Sequence, residues 1–123
     1  MATSAERGLG MSLEIETRTE GDVAVIACAG PIQIGETANR FRDVLRETLR
    51  GGAMKILLDL HGVKYVDSTG IGELVGLFTN ASEVGAGVRL CNVPQKVRDV
   101  LEVTRLITVF EVYGTLEDGL RGF

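Results

Sequence analysis

The pattern of apolar and polar positions predicts two strands followed by alternating helices and strands. Residues 12–19 alternate at first, residues 22–29 form a more apolar run, and the Glu20-Gly21-Asp22 stretch between them is typical of a turn. We therefore expect an N-terminal hairpin. From Gly35 to Arg50 apolar residues recur at three- and four-residue spacing, which predicts an amphipathic helix that the following glycines end.

The rest of the chain continues this alternation. The run MKILLDL, residues 54–60, predicts a buried strand, and residues 70–84 predict a second helix. The inward stripe of that helix comprises Ile71, Leu74, Val75, Phe78 and Ala81. A strand at 88–93, a helix from 94 to about 104, a strand near 107–113 and a short helix from 115 complete the pattern. It predicts an α/β sandwich with a mixed sheet of about four to five strands and helices packed against it.

Composition and charge limit the classes of function. A chain of 123 residues with 45% hydrophobic residues is consistent with one domain, which we place at 12–123 after a flexible tail at 1–11. The net charge of -4 argues against nucleic acid as a partner. The longest apolar run, 23–29, is too short to span a membrane, and the first residues lack a signal-peptide pattern. We expect a cytoplasmic protein with no membrane insertion.

The two cysteines predict neither a disulfide nor a metal site. Cys28 and Cys91 both lie in apolar, strand-like runs, the sequence has no Cys-x-x-Cys, and His61 is the single histidine. Both are therefore expected to be buried, reduced thiols.

Two hydroxyl residues, Ser68 and Thr69, stand between Asp67 and Gly70 at the start of the second predicted helix. A Ser or Thr in this position accepts hydrogen bonds from unpaired amides of the first turn, and one hydroxyl is enough for that. The other would face solvent where free amides and the helix dipole favour an anion such as phosphate. On the residues alone, a helix cap and a regulated or binding hydroxyl both remain open.

The glycines that follow offer two interpretations. Gly70 and Gly72 are typical of a dinucleotide-binding turn, but Gly70 stands about ten residues beyond the predicted strand, and Asn92 occupies the place of an acidic ribose partner. Gly72 and Gly76 lie four apart and away from the apolar stripe. We therefore favour a flat, exposed helix face that another protein can approach closely.

Enzymatic interpretations lack the necessary residues. Asp59 at a strand end suggests a phosphoaspartate receiver, but no further carboxylates are placed to hold Mg²⁺. No catalytic set can be assembled around His61, so we predict that the protein is not an enzyme. The first helix is rich in charge, which indicates a solvated face or a docking surface; its charged residues are Glu36, Arg40, Arg42, Asp43, Arg46, Glu47 and Arg50.

Two stretches carry a family resemblance: LLDLHGVKYVDSTGIGELVGL, at 57–77, and GVRLCNVPQKVRDVLEVTRLITVFEVY, at 87–113. Together they resemble the STAS domain, specifically the bacterial anti-sigma-factor antagonists. The resemblance implies a partner-switching regulator in which the hydroxyl after the Asp, here Ser68, is phosphorylated by an anti-sigma factor that is also a serine kinase. The unphosphorylated form would bind that factor and release a sigma factor, and a separate phosphatase would reverse the modification. ATP would belong to the kinase, so no cofactor is expected.

The resemblance also implies a partner-binding surface, with one departure from the family pattern. Its predicted residues are Asp67, Ser68, Thr69, Gly70, Gly72, Glu73, Gly76 and Gln33. Many family members have an acidic residue where this chain has Gln33, in a segment expected to lie near the Ser68 turn. This departure motivates a second hypothesis, a STAS scaffold or accessory subunit of a stress-signalling or transport complex that uses the same surface without phosphorylation.

Overall fold

Five strands form one mixed sheet in the computed structural model, which describes residues 12–123. The strands are β1 (Glu14–Glu20), β2 (Val23–Ile32), β3 (Lys55–Val66), β4 (Gly87–Cys91) and β5 (Glu111–Tyr113), and they lie side by side in chain order. β1 and β2 form the predicted antiparallel hairpin, and the other neighbours pair in parallel. The predicted α/β sandwich with a mixed sheet is confirmed. The predicted tail at 1–11 lies outside the described residues.

Helices cover the sheet. They are α1 (Glu36–Arg50), α2 (Ser68–Glu83), α3 (Gln95–Val103) and the short α4 (Leu116–Leu120), with a 3-10 helix at Leu106–Thr108. The main core lies between the sheet and helices α1 to α3; its buried side chains include Ile26, Phe41, Leu58, Leu74 and Leu101. Alternate strand residues point to the other face, where Val25, Leu57 and Cys91 form a second cluster with residues of α4.

β3 is longer than its apolar pattern predicts. It continues past Leu60 to Val66, with two irregularities in its register against β2. A Cβ at Gly62 would lie 2.5 Å from the Cβ of Ala29, so this part of the strand requires glycine for close approach. The predicted separation of about ten residues between strand and helix was therefore wrong: α2 begins two residues after β3 ends.

Two further details differ from prediction. Val75 is 38% exposed, and Leu77 is buried in its place on the inward side of α2. Only the end of the region 107–113 forms a strand, because Arg105 adopts a left-handed conformation (φ 67°) that redirects the chain into the 3-10 helix. In α1, Arg40 donates to the carbonyl oxygen of Leu13 and so ties the helix to the chain before β1.

The cysteines lie on opposite faces of the sheet. Cys28 belongs to the main core and Cys91 to the second cluster, and both are fully buried and free. Burial raises the pKa of each thiol to about 12. The prediction of two buried, unpaired thiols is confirmed.

Candidate functional site

The turn between β3 and α2 presents Ser68 to solvent at the first position of the helix. Asp67 is the N-cap, and its Oδ1 accepts a hydrogen bond from the backbone N–H of Gly70 at 2.9 Å. Of the two interpretations left open by the sequence, the helix cap does not hold for Ser68 or Thr69, because a carboxylate caps as well as a hydroxyl and Asp67 already occupies that position. Within residues 12–123 the Ser68 hydroxyl has no hydrogen-bond partner. It is exposed and free to react.

Asp67 also connects this turn to the loop that follows β2. Its Oδ2 accepts a hydrogen bond from the backbone N–H of Ile34 at 2.9 Å, and its own N–H donates to the carbonyl of Ile32 at 3.2 Å. Gln33 lies between those two residues, and its backbone N–H donates to the hydroxyl of Thr37 at 3.0 Å. The expected proximity of the Gln33 segment to the Ser68 turn is confirmed.

The charge of Asp67 is stabilised by the backbone. Partial burial alone would raise the pKa of its carboxyl group, but hydrogen bonds from the N–H groups of Ile34, Gly70 and Thr69 lower it below the usual value. Ser68 therefore has a carboxylate beside it. A phosphate on Ser68 would gain from the dipole of α2 and would be repelled by Asp67.

Five of the eight predicted partner-binding residues, all on α2, divide into three groups. Ser68 and Gly72 are exposed on one face of α2, and a Cβ at Gly72 would meet open space. Gly70 is buried, since a Cβ there would lie 2.7 Å from the carbonyl oxygen of Ile32, so Gly70 shapes the turn without adding surface. Glu73 and Gly76 line a groove between α1 and α2.

Sequence reasoning missed large, exposed hydrophobic side chains on the segments that meet at the Ser68 turn. Ile34 is 75% exposed and Tyr65 52% exposed. Val75 is seven residues beyond Ser68 and therefore on the same helix face. Ile34, in the segment GPIQIGE, could have indicated this surface, because it is an apolar residue that belongs to none of the predicted apolar stripes. Exposed apolar groups near an exposed hydroxyl are typical of a surface that binds another protein.

The comparison with protein families decides the classification. Residues 14–119 match the model described as the STAS domain. This chain belongs to the STAS domain family.

Two curated relatives and one solved structure illustrate what this chain is similar to. A protein of Thermotoga neapolitana, provisionally named anti-sigma factor antagonist TM1081 homolog, is 34% identical over 86 residues, which are 69% of this chain and 76% of the relative. The anti-sigma-B factor antagonist of Staphylococcus aureus is 26% identical, over 83% of this chain and 94% of the relative. The crystal structure of TM1081 from Thermotoga maritima, also provisionally named an anti-sigma factor antagonist, superposes with a TM-score of 0.81 at 28% identity. That match covers 86% of this chain and 91% of the other.

In this STAS domain Asp59 forms local hydrogen bonds. Its Oδ1 accepts from the backbone N–H of His61 at 3.1 Å and from the side-chain amide of Asn92 at 3.2 Å, and it lies 3.1 Å from the His61 ring nitrogen Nδ1. No group of three or more side chains suited to a metal ion occurs within residues 12–123. Gly70 packs too closely on Ile32 for a pyrophosphate to approach its backbone. No helix in the described part of the chain is long and apolar enough to cross a membrane.

Proposed function

We propose that this STAS domain is a non-enzymatic anti-sigma-factor antagonist, active in the cytoplasm, whose binding is switched off by phosphorylation of Ser68. The proposal rests on the different roles of Asp67 and Ser68 in the turn between β3 and α2. Asp67 caps α2 and holds the Gln33 segment, so the exposed Ser68 hydroxyl has no structural task and can be modified without loss of the fold. The names of the curated relatives support the class of partner.

The surface around Ser68 explains how a phosphate would act. Ile34, Tyr65 and Val75 are apolar and exposed, and Gly72 allows close approach of a partner. A group with a charge of about -1.5 to -2 at the edge of such an interface must be desolvated beside the Asp67 carboxylate. Because like charges and unpaired charges are costly inside an interface, phosphorylation would weaken docking.

The partners follow from this scheme. The modifying enzyme would be the anti-sigma factor itself, acting as a serine kinase, and a serine phosphatase would restore the unmodified form. ATP would bind the kinase, so this chain requires no cofactor. The N–H of Ile34 holds the loop after β2 to Asp67, while the N–H of Gln33 donates to Thr37. The Gln33 side chain would offer a kinase an uncharged amide in place of an acid.

Binding to the cognate anti-sigma factor, measured by isothermal titration calorimetry, tests the switch. We expect Ser68→Ala to bind as wild type does and Ser68→Asp to bind roughly tenfold more weakly or worse, which corresponds to about 1.4 kcal/mol. Thr19→Asp is the control, since it places the same charge on an exposed hydroxyl residue of β1, away from α1 and α2. Equal affinities for the wild type and Ser68→Asp would refute the switch.

Phosphorylation is tested separately. The protein is incubated with the anti-sigma factor and ATP, and the products are mapped by mass spectrometry. We expect a single phosphate on Ser68, which Ser68→Ala abolishes and Thr69→Ala leaves in place. A phosphate on Thr69, or none at all, would overturn the assignment.

A second candidate is a STAS scaffold or accessory subunit that uses the same surface without phosphorylation. The observation that favours it is Gln33, which removes an acidic group from the segment beside Ser68. Purification of a stable complex from cells, followed by mass spectrometry of Ser68, distinguishes the two. A large complex in which Ser68 is never modified would support the scaffold.

A further inference from the structure

An open groove runs between α1 and α2 on the outer surface of the helical layer. Its floor is apolar and includes Leu45, Leu49 and Leu77. Toward the carboxyl ends of the two helices it widens to a depression of about 410 Å³ that reaches Arg50 and Val84. Both helices begin at the Gln33 and Ser68 end, so the groove extends away from the proposed switch along the parallel helices.

The two edges of the groove carry opposite charges. Arg42, Arg46 and Arg50 follow one another at four-residue spacing along the α1 edge, and Glu73 and Glu83 lie on the α2 edge. Arg42 donates to Asn39 and Asp43 on its own helix. Among residues 12–123, Arg46 and Arg50 have neither a hydrogen bond nor an ion pair. Both guanidinium groups are therefore available to an acidic partner.

A glycine keeps the groove open. A Cβ at Gly76 would have no heavy atom within 4 Å beyond its own helix, so the position offers space and not a tight contact. Any larger side chain there would project beside Glu73 and Leu77 and occupy the groove. Glycine is a poor helix former, and packing does not require it here.

We propose that this groove binds an amphipathic helix of the anti-sigma factor, with its acidic side toward Arg46 and Arg50 and its apolar side over Leu49 and the exposed Val84. The inference rests on the proposed function and adds a second contact surface to it. An apolar floor between charged edges is the arrangement that accepts an amphipathic helix. The glutamates on the α2 edge repel a polyanion such as a nucleic acid. They also fix the orientation of the bound helix, because its acidic side must face away from them. Glu73 follows Ser68 by five residues, so one partner can cover the switch and enter the groove.

Two variants test the groove by calorimetry with the purified anti-sigma factor. Gly76→Leu fills the groove, and Arg46→Glu/Arg50→Glu reverses its basic edge. We expect each to weaken binding roughly tenfold or more, while the melting temperature of Gly76→Leu is not lowered, because its side chain enters open space. Lys96→Glu, an exposed charge reversal on α3, is the control and should bind as wild type does.

A photo-crosslinking amino acid at Asn80, which lines the groove on the α2 side, identifies the segment that binds. We expect its crosslinked partner peptide to be acidic and helical. Loss of binding by Ser68→Asp together with unchanged binding by both groove variants would overturn the groove proposal alone. A wild-type protein that does not bind the anti-sigma factor would overturn the proposed function, and the groove proposal with it.

Discussion

Asp67 performs two structural tasks with one carboxylate. Oδ1 accepts from the N–H of Gly70 and Oδ2 from the N–H of Ile34, so the start of α2 and the loop after β2 depend on the same side chain. Asp67→Ala leaves both amides without their acceptor, and we expect the free energy of unfolding to fall by about 1–3 kcal/mol. Urea denaturation followed by circular dichroism measures this. Asp67→Ser keeps one acceptor and should give an intermediate value; an unchanged midpoint for Asp67→Ala would contradict the prediction.

The same carboxylate predicts a dependence of stability on pH. Burial raises the pKa of Asp67 but the backbone hydrogen bonds lower it further, so its folded-state pKa lies below the unfolded value of about 3.9. The stability it contributes is complete above the unfolded pKa and is lost as pH falls through the folded pKa. The difference in unfolding free energy between wild type and Asp67→Asn should therefore be constant at neutral pH and shrink below about pH 4.

An exposed carboxylate provides the control for this titration. Glu102→Gln removes a surface charge on α3, and its difference from wild type should stay near zero across the same range. If the difference in unfolding free energy between wild type and Asp67→Asn stays the same at the lowest pH, hydrogen bonds to the ionised Asp67 are not its cause.

At the scale of elements, the sequence predicted the hairpin, α1 and the order of strands and helices, because the apolar residues of each element recur at the spacing typical of a strand or a helix. The continuation of β3 past Leu60 was missed, since its pairing with β2 depends on close backbone contact between Gly62 and Ala29 and not on an apolar pattern. Since the end of β3 fixes the start of α2, the capping residue was misassigned too. Asp and Ser cap about equally well and Thr only somewhat less well, so their order alone could not identify Asp67.

Two glycines of α2 test the distinction between packing and open surface. In Gly70→Ala the new Cβ would lie 2.7 Å from the Ile32 carbonyl oxygen and 2.8 Å from a Val66 methyl carbon. We expect a loss of about 1–3 kcal/mol, as in other overpacked sites. Gly72→Ala meets nothing within 4 Å. It should gain up to about 1 kcal/mol from the better helix former. Thermal denaturation of both variants checks the opposite signs, and equal effects would contradict them.

At the scale of the whole molecule, both faces of the sheet are covered. Arg89 holds α4 and the residues after it on the face opposite helices α1 to α3. Its Nη1 donates to the carbonyls of Gly119 and Arg121, both at 3.0 Å, and its Nη2 to that of Gly122 at 3.3 Å. The guanidinium carbon lies 4.3 Å from the centre of the Phe123 ring. One side chain of β4 therefore fixes α4 and the residues that follow it over the second cluster.

Arg89→Ala should loosen the packing of α4 on the sheet without opening the main core. The two cysteines distinguish these regions, because Cys91 lies beneath α4 and Cys28 in the main core. A Cβ at Gly119 would lie 3.5 Å from the Cys91 Cβ, so α4 covers Cys91, whereas Cys28 is buried beneath the large helices. Labelling of a buried thiol requires local opening, and its rate should rise roughly tenfold for each 1.4 kcal/mol by which opening becomes easier. We expect faster alkylation of Cys91 and an unchanged rate for Cys28, measured by peptide mass spectrometry.

The matched variant for this experiment is Arg89→Lys. Lysine keeps the positive charge but lacks the planar guanidinium group that donates to three carbonyls and stacks on Phe123. The alkylation rates of Arg89→Lys should therefore resemble those of Arg89→Ala and not those of wild type. Equal acceleration at both cysteines would mean that Arg89 stabilises the whole domain, because global unfolding exposes both thiols together. Selective exposure of Cys91 would instead establish α4 as a separately opening unit on the sheet face opposite the proposed switch.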